Sequence, residues 1–189
     1  SQTTKNVVKG LMVKERPSIV AYPPTDRFGD AISENEIKER ANSRELRILF
    51  LGNVIERKGL HTLLNALASV GQNGILSYRL DVVGSLDSEP KYAQEMQRNA
   101  SIPSLRSSVT FHGALDNGLL KEMLRQAHVL VVPSSYEGFG IVYLEGMAFG
   151  LPAIGTTAGA ASEIIANGET GYLVEPDDLK TLAARVTSF

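Results

Sequence analysis

Short apolar runs alternate with amphipathic stretches along most of this chain, and this alternation constrains the fold more than any other feature. Each run is followed by a segment whose apolar residues recur every three or four positions, as on one face of a helix. Such an order is typical of a parallel sheet with helices on both faces, and we predict a doubly wound, Rossmann-like α/β fold. The predicted strands are Arg47–Leu51, Tyr78–Val83, Val109–His112, His128–Val132, Pro152–Gly155 and Gly171–Val174.

Helices are predicted between these strands and towards both ends of the chain. Asp116 is placed to cap one of them, since an aspartate ahead of an apolar periodic run is a common helix start. The run from Ile141 is apolar nearly all round, which predicts a buried helix. The predicted helices are Lys5–Met12, Lys58–Val70, Ser88–Ala100, the segment after Asp116, Ile141–Phe149, Ser162–Ala166 and the segment from Leu179 onward.

Length and composition exclude several classes of protein. The 189 residues suit one domain with a substantial core, and a formal charge of −2 leaves no broad basic surface for nucleic acid. The absence of cysteine excludes disulfides and thiol nucleophiles, and the three histidines lack the spacing of zinc ligands. No apolar run reaches the length of a membrane span and no signal peptide is visible, so we expect a cytoplasmic protein. No cofactor is expected.

Two carboxylates mark the segment that follows the fourth predicted strand. Glu137 precedes the helix from Ile141 and Glu145 lies inside it, with seven residues between them. A buried carboxylate without a partner is costly, and the adjacent sequence offers no obvious one. A polar ligand at the carboxyl end of the strand would supply that partner. The alternative for Glu145 is an ordinary ion pair with Lys121 or Arg125, and the alternative for Glu137 is a surface glutamate favoured near a helix N-terminus.

The loop after the first predicted strand has the features of an anion site. It contains Gly52, Asn53, Arg57 and Lys58 and opens a helix, so backbone amides, the helix N-terminus and two cations lie together. It is not a P-loop, because Lys58 is followed by Gly59 and not by Ser or Thr, and it lacks the Gly-x-Gly-x-x-Gly pattern of nicotinamide-binding proteins. The alternative is two solvated cations at a helix start, where the helix dipole disfavours them.

An ordered series of motifs resembles the donor-sugar domain of the retaining GT-B glycosyltransferases of family GT4, the glycosyl transferases group 1. The resemblance begins near Pro17 and continues to the last residue. A single glycine loop would be weak evidence, whereas the ordered series is specific. The motifs are Glu137-Gly138-Phe139-Gly140, the run from Glu145 to Pro152, the small-residue turn through Gly159 to Glu163, and the run from Asn167 to Val174.

The resemblance implies roles for the phosphate-binding residues. Lys58 matches the lysine that grips the nucleotide diphosphate, beside Gly52. Asn53 stands where the family usually has an arginine, and Arg57 is the alternative source of that charge. Glu137 matches the glutamate near the donor sugar and its leaving phosphate.

Further roles concern the nucleoside and the sugar. Glu145 matches the glutamate that accepts hydrogen bonds from the ribose hydroxyls. Backbone amides of Gly138, Phe139 and Gly140 are expected to meet the sugar or the diphosphate, His112 and Gly113 are expected to contact the base, and Glu163 is expected to hold its own loop.

The resemblance also implies how the whole protein is organised. Residues 1–16 are expected to be a helix and linker remaining from an N-terminal domain, and residues 17–189 the nucleotide-sugar-binding half of a GT-B enzyme. The expected activity is retaining, metal-independent transfer from a nucleoside-diphosphate sugar to an acceptor, such as a sugar or lipid-linked sugar, held mainly by the absent domain. The isolated fragment is expected to bind the donor without transfer. A non-catalytic nucleotide-sugar-binding module, a GT-B nucleotide-sugar epimerase, and peripheral membrane association remain open.

Overall fold

A sheet of six parallel strands forms the centre of the molecule. The computed structural model describes residues 1–14, 16–24, 27–29, 32–72 and 77–189. The strands lie within one or two residues of the predicted bounds, so the doubly wound α/β prediction is confirmed. They are β1 (Leu46–Leu51), β2 (Tyr78–Val83), β3 (Val109–Gly113), β4 (Val129–Val131), β5 (Ala153–Thr156) and β6 (Gly171–Val174).

Helices cover both faces of this sheet. Asp116 caps one of them as predicted, since its side chain accepts from the backbone N–H of Leu119. Two single turns of 3-10 helix, Glu56–Lys58 and Ala161–Glu163, lie in loops. The α-helices of the described residues are α1 (Gln2–Leu11), α2 (Glu34–Ala41), α3 (Leu60–Gln72), α4 (Pro90–Ala100), α5 (Asn117–Gln126), α6 (Ile141–Met147) and α7 (Leu179–Val186).

The strand order places two long-separated loops side by side. The order is β3-β2-β1-β4-β5-β6, so the chain winds outward from β1 and then returns to lay β4 against β1. Ile48 pairs with Val129 and Leu49 with Leu130 in that central contact. In open parallel sheets, ligands bind at this reversal, outside the carboxyl ends of the strands. The loops that follow β1 and β4 therefore define the place to look for a site.

The core lies around the two central strands. Ile48, Leu49 and Phe50 of β1 are completely buried, as is all of β4. Their continuous burial explains why these runs are apolar without alternation, since helices cover both faces of the sheet. Leu63 and Leu67 of α3 are also fully buried within this core.

Two helix predictions need correction. Helix α6 is not buried all round, because Ile141 is 42% exposed while Tyr143 is completely buried. The helix is only seven residues long and packs against β4 and β5 with one side, so its other side remains open. The predicted helix Ser162–Ala166 is a single 3-10 turn, since the N–H of Ala166 bonds to the hydroxyl of Thr170 rather than to a helical carbonyl.

Helix α2 was not predicted, although the sequence contains its start signal. Ser33 and Glu36 form a reciprocal capping box, in which each side chain accepts from the other residue's backbone N–H. Hydrogen bonds from the backbone and side chain of Ser33 lower the pKa of Glu36. Near the other end of the helix, Arg40 donates to the carbonyls of Phe149 and Gly150, both at 3.1 Å. Helix α2 thereby fastens the chain that follows α6.

Candidate functional site

An ion pair joins the loops that follow β1 and β4. The ammonium of Lys58 lies 2.6 Å from Oε2 of Glu137, and the side chains of the two residues are only 13% and 10% exposed. The hydroxyl of Ser134 donates to the same carboxylate oxygen at 3.2 Å. The aliphatic stem of Lys58 passes over Gly52, where an added Cβ would lie 3.5 Å from it. The structure thus brings together two predicted site residues that are 79 positions apart.

Backbone contacts fix the position of Glu137. Its N–H donates to the carbonyl of Ala158, and its own carbonyl accepts from Ala160 at 2.7 Å. Gly59, with φ of 71°, approaches Pro133 so closely that a Cβ would lie 2.0 Å from the proline carbonyl oxygen. Only glycine tolerates both this conformation and this approach. The sequence therefore places a glycine where the two loops touch.

The glycine loop carries backbone donors with no protein partner. Among the described residues, the N–H groups of Gly138, Phe139 and Gly140 donate to no protein acceptor. Gly140 has φ of 94° and precedes α6, and a Cβ there would overlap the ring of Tyr143. Burial raises the pKa of Tyr143, with a further contribution from the nearby charge of Glu137. Within the described residues these three consecutive amides thus lack a protein acceptor and lie on a firmly packed support, and their contact with a ligand stays a prediction.

Glu145 is buried and has a protein partner. Its Oε1 lies 2.6 Å from Nη1 of Arg27, and the residue is 7% exposed. The premise that only a ligand could supply a partner is therefore wrong, while contact of Glu145 with ribose hydroxyls stays a prediction. The alternative pairing with Lys121 or Arg125 is wrong as well, since both bond elsewhere. A partner 118 positions away has no signature in the local sequence.

The other predicted residues of the β1 loop have contacts within the protein, and their roles towards a ligand stay predictions. Arg57 donates from Nη1 to the carbonyl of Tyr136 at 2.7 Å, so it bridges the two loops. Asn53 is exposed. The N–H of Gly52 is used by the carbonyl of Val83 at 2.9 Å, so Gly52 provides room for the Lys58 stem rather than a donor.

His112 lies in an irregularity at the end of β3. The pairing of β2 and β3 shifts there, so that Val83 lies opposite Gly113. The imidazole Nε2 is 2.7 Å from Oδ1 of Asp81 on the neighbouring strand. The carbonyl of Gly113 accepts from Gly84 at 2.9 Å. Both residues lie at the correct edge of the sheet, and their contact with a base stays a prediction.

Helix α1 begins against the glycine loop. The hydroxyls of Ser1 and Thr4 donate to the carbonyl of Gly138 at 2.7 and 2.8 Å. Glu163 accepts from the N–H of Thr3 at 2.7 Å. Burial alone would raise the pKa of Glu163, but the hydrogen bonds from Thr3 outweigh it and lower the pKa. Glu163 therefore caps α1 and does not serve its own loop, contrary to the prediction.

Throughout the described ranges, no three histidine, aspartate or glutamate side chains lie close enough together to hold a metal ion. None of the helices in those ranges is long and apolar enough to cross a membrane. The polar groups of the candidate site belong to the loop after β1 and to the loop after β4, which includes the glycine loop.

Solved structures of glycosyltransferases share this fold. Sucrose-phosphate synthase of Thermosynechococcus elongatus superimposes with a TM-score of 0.78 at 26% identity, covering 98% of this chain and 46% of that protein. HepE of Anabaena, solved in complex with UDP and glucose, gives 0.70 at 25% identity over 82% of this chain and 42% of its own. The C-terminal domain of LpcC, a group 1 glycosyl transferase from Francisella tularensis, gives 0.71 at 25% identity, covering 88% of this chain and 87% of that domain.

Sequence relatives agree with the structural ones. Alpha-D-kanosaminyltransferase of Streptomyces kanamyceticus is 27% identical over 172 residues, which cover 89% of this chain and 43% of the relative. An uncharacterized glycosyltransferase of Methanocaldococcus jannaschii is 32% identical over 139 residues, covering 74% of this chain and 34% of the relative. The chain thus spans less than half the length of either relative. The family model described as glycosyl transferases group 1 matches residues 32–189, and the chain belongs to that family.

Proposed function

We propose that the chain binds a nucleoside-diphosphate sugar at the carboxyl ends of β1 and β4, as the donor-binding part of a retaining, metal-independent glycosyltransferase of family GT4. The observation that carries the proposal is the buried contact of Lys58 with Glu137, beside three amides of the glycine loop that donate to no acceptor in the described part of the chain. The complex of the related HepE with UDP and glucose supports a nucleotide sugar as the ligand.

Lys58 is the proposed cation for the diphosphate. An ammonium has three N–H donors, and Glu137 accepts from one of them, so two remain for phosphate oxygens. The amides of Gly138, Phe139 and Gly140 add uncharged donors to the same anion. Preorganised donors of this kind stabilise the charge that develops on a departing diphosphate. This route to leaving-group stabilisation needs no metal ion.

The two glutamates have separate proposed roles. Glu137 is held through Oε2, so its Oε1 is placed to accept a hydroxyl of the donor sugar. Glu145 is the proposed acceptor for the ribose hydroxyls, since a carboxylate oxygen has lone pairs for more than one donor. Replacing Glu145 by glutamine keeps the shape and weakens the acceptor, for an expected loss of about 1–3 kcal/mol in nucleotide affinity.

Sugar transfer needs more than this binding surface. A reaction at the anomeric carbon requires an acceptor held against it and water kept away. We propose that the part of the enzyme beyond this chain supplies both, that it works in the cytoplasm, and that this chain alone binds the donor weakly with negligible transfer. Robust transfer from a radiolabelled donor by this chain alone would contradict that division of labour, while epimerised free nucleotide sugar would reveal an epimerase instead.

The binding proposal is tested on the diphosphate. Calorimetry compares UDP, ADP and GDP with their nucleosides, on the unmodified chain and on Lys58→Ala and Arg57→Ala. Loss of one charge-assisted contact is expected to weaken diphosphate binding by about 1.5–3 kcal/mol in Lys58→Ala, with little change for the nucleoside. Arg57→Ala is the matched variant, because its guanidinium is engaged by a backbone carbonyl and should spare that selectivity. Equal losses for both ligands in folded Lys58→Ala would refute the assignment, and a selective loss in Arg57→Ala would show that Arg57 compensates for Asn53.

A further inference from the structure

Arg27 holds the buried carboxylate of Glu145 in one orientation. Its Nη1 lies 2.6 Å from Oε1 of Glu145, and its Nη2 donates to Oδ1 of Asn117 at 2.7 Å, at the start of α5. The guanidinium also lies over the ring of Phe28, 5.0 Å from the ring centroid. The planar fork is therefore fixed on three sides, an arrangement that a point-charge lysine does not reproduce.

The base of this arrangement is packed as well. The ring of Phe28 meets Phe149 edge to face at 5.5 Å, and the carbonyl of Phe28 accepts from Lys121 at 3.3 Å. Phe149 lies just beyond α6, the helix that carries Glu145. The arginine and its carboxylate are thus anchored to the same aromatic contact. Their relative position is defined even though the Arg27 side chain is 46% exposed.

We infer that Arg27 is a positioning residue for ribose recognition, an inference that rests on the function proposed above. Arg27 occupies Oε1 of Glu145, and within the described parts of the chain no protein group bonds to Oε2. A carboxylate fixed through one oxygen presents the other in a constant place, so binding a hydroxyl does not require the side chain to be ordered anew. An arginine that served stability alone would have no reason to favour ligands with ribose hydroxyls.

The test compares nucleotides with and without those hydroxyls. Calorimetry on the unmodified chain selects the tightest binder among UDP, ADP and GDP, and its 2′,3′-dideoxy analogue is measured beside it. The factor by which the hydroxyls tighten binding is the Kd of the dideoxy analogue divided by the Kd of the nucleotide. It is then determined for Arg27→Gln, Arg27→Lys and Glu145→Gln. Arg47→Gln is the matched control, because this arginine bonds to Gln126 near the amino end of β1, away from the proposed site.

Arg27→Gln is expected to reduce the factor about 10- to 100-fold, the size of one hydrogen bond to a charged group. The dideoxy analogue should bind as before, which also shows that the variant is folded. In Arg27→Lys the factor should fall less, because the lysine retains the positive charge but lacks the planar guanidinium. In Arg47→Gln the factor should equal that of the unmodified chain.

Two results would count against the inference. An unchanged factor in Arg27→Gln, beside a reduced factor in Glu145→Gln, would overturn the role of Arg27 and leave the proposed function intact. An unchanged factor in Glu145→Gln, or no binding of any of the three nucleotides, would overturn the proposed function and this inference together.

Discussion

Removing either member of the Lys58–Glu137 pair should destabilise the domain, and removing both should cost less than the two single losses together. Lys58→Met keeps the length of the side chain but leaves the carboxylate of Glu137 without its cation. Breaking a fully buried ion pair in this way costs about 3–5 kcal/mol. Here Ser134 remains as a hydrogen-bond donor and Glu137 keeps a 10% exposed side chain, so we expect about 2–4 kcal/mol.

The measurement is a double-mutant cycle in urea. Lys58→Met, Glu137→Gln and the double variant are unfolded at constant pH, and the free energy of unfolding is taken from the midpoint and slope. Because the double variant leaves no uncompensated charge, its loss should be smaller than the sum of the single losses by about 1–3 kcal/mol. Lys38→Met serves as control, since the Lys38–Glu34 pair is exposed on α2 and should be worth less than about 0.5 kcal/mol.

Additive losses would refute this reasoning. If the single effects sum to the double effect within about 0.5 kcal/mol, the two groups do not depend on each other in the folded domain. The buried contact would then no longer support the proposed site, and the glycine loop would be its remaining support.

Two further outcomes follow from backbone geometry and from titration. Gly59→Ala should lower the free energy of unfolding in urea by more than about 3 kcal/mol. The added Cβ would overlap the carbonyl of Pro133, and the residue would be held in a left-handed conformation. Gly10→Ala on α1 is the control and should not lower it, because its Cβ meets open space. Burial raises the pKa of Tyr92 from 10.0 to about 12. As the pH rises from about 10 to about 12, the unfolded chain loses the phenol proton before the folded chain does, so the free energy of unfolding should fall. Tyr92→Phe should make this decrease with pH smaller.

The sequence allowed the sheet and its edge to be predicted because the signals are local. The apolar run of β2 ends where its strand ends, and Asp116 caps its helix as the pattern requires. Glycines with positive φ, such as Gly140 and Gly59, stand where the chain turns between a strand and a helix. Since parallel strands align their carboxyl ends, Lys58 and Glu137 could be placed at one edge without knowledge of their contact.

The partners of the site residues could not be predicted in the same way. Glu145 is paired by Arg27 and Glu163 is paired by α1, and both contacts join positions more than 100 residues apart. Neither hydrophobic periodicity nor motif spacing encodes these contacts, because they depend on where Arg27 and helix α1 lie on the folded domain. Helix α2 is a different case, since Ser33 and Glu36 form a capping signal that was present in the sequence and was overlooked.

The contact between Lys58 and Glu137 also bears on how the domain assembles. The first three strands can pair in sequence order. The ammonium of Lys58 meets the carboxylate of Glu137, which lies 79 positions further along the chain, only after β4 has returned to pair with β1. Closing so long a loop carries an entropic cost that is recovered only when both halves of the sheet are in place. A partly folded chain that holds only β1 to β3 has the cation without its counterpart. A ligand that needs both groups therefore favours chains in which β4 has joined β1 over chains that hold only β1 to β3.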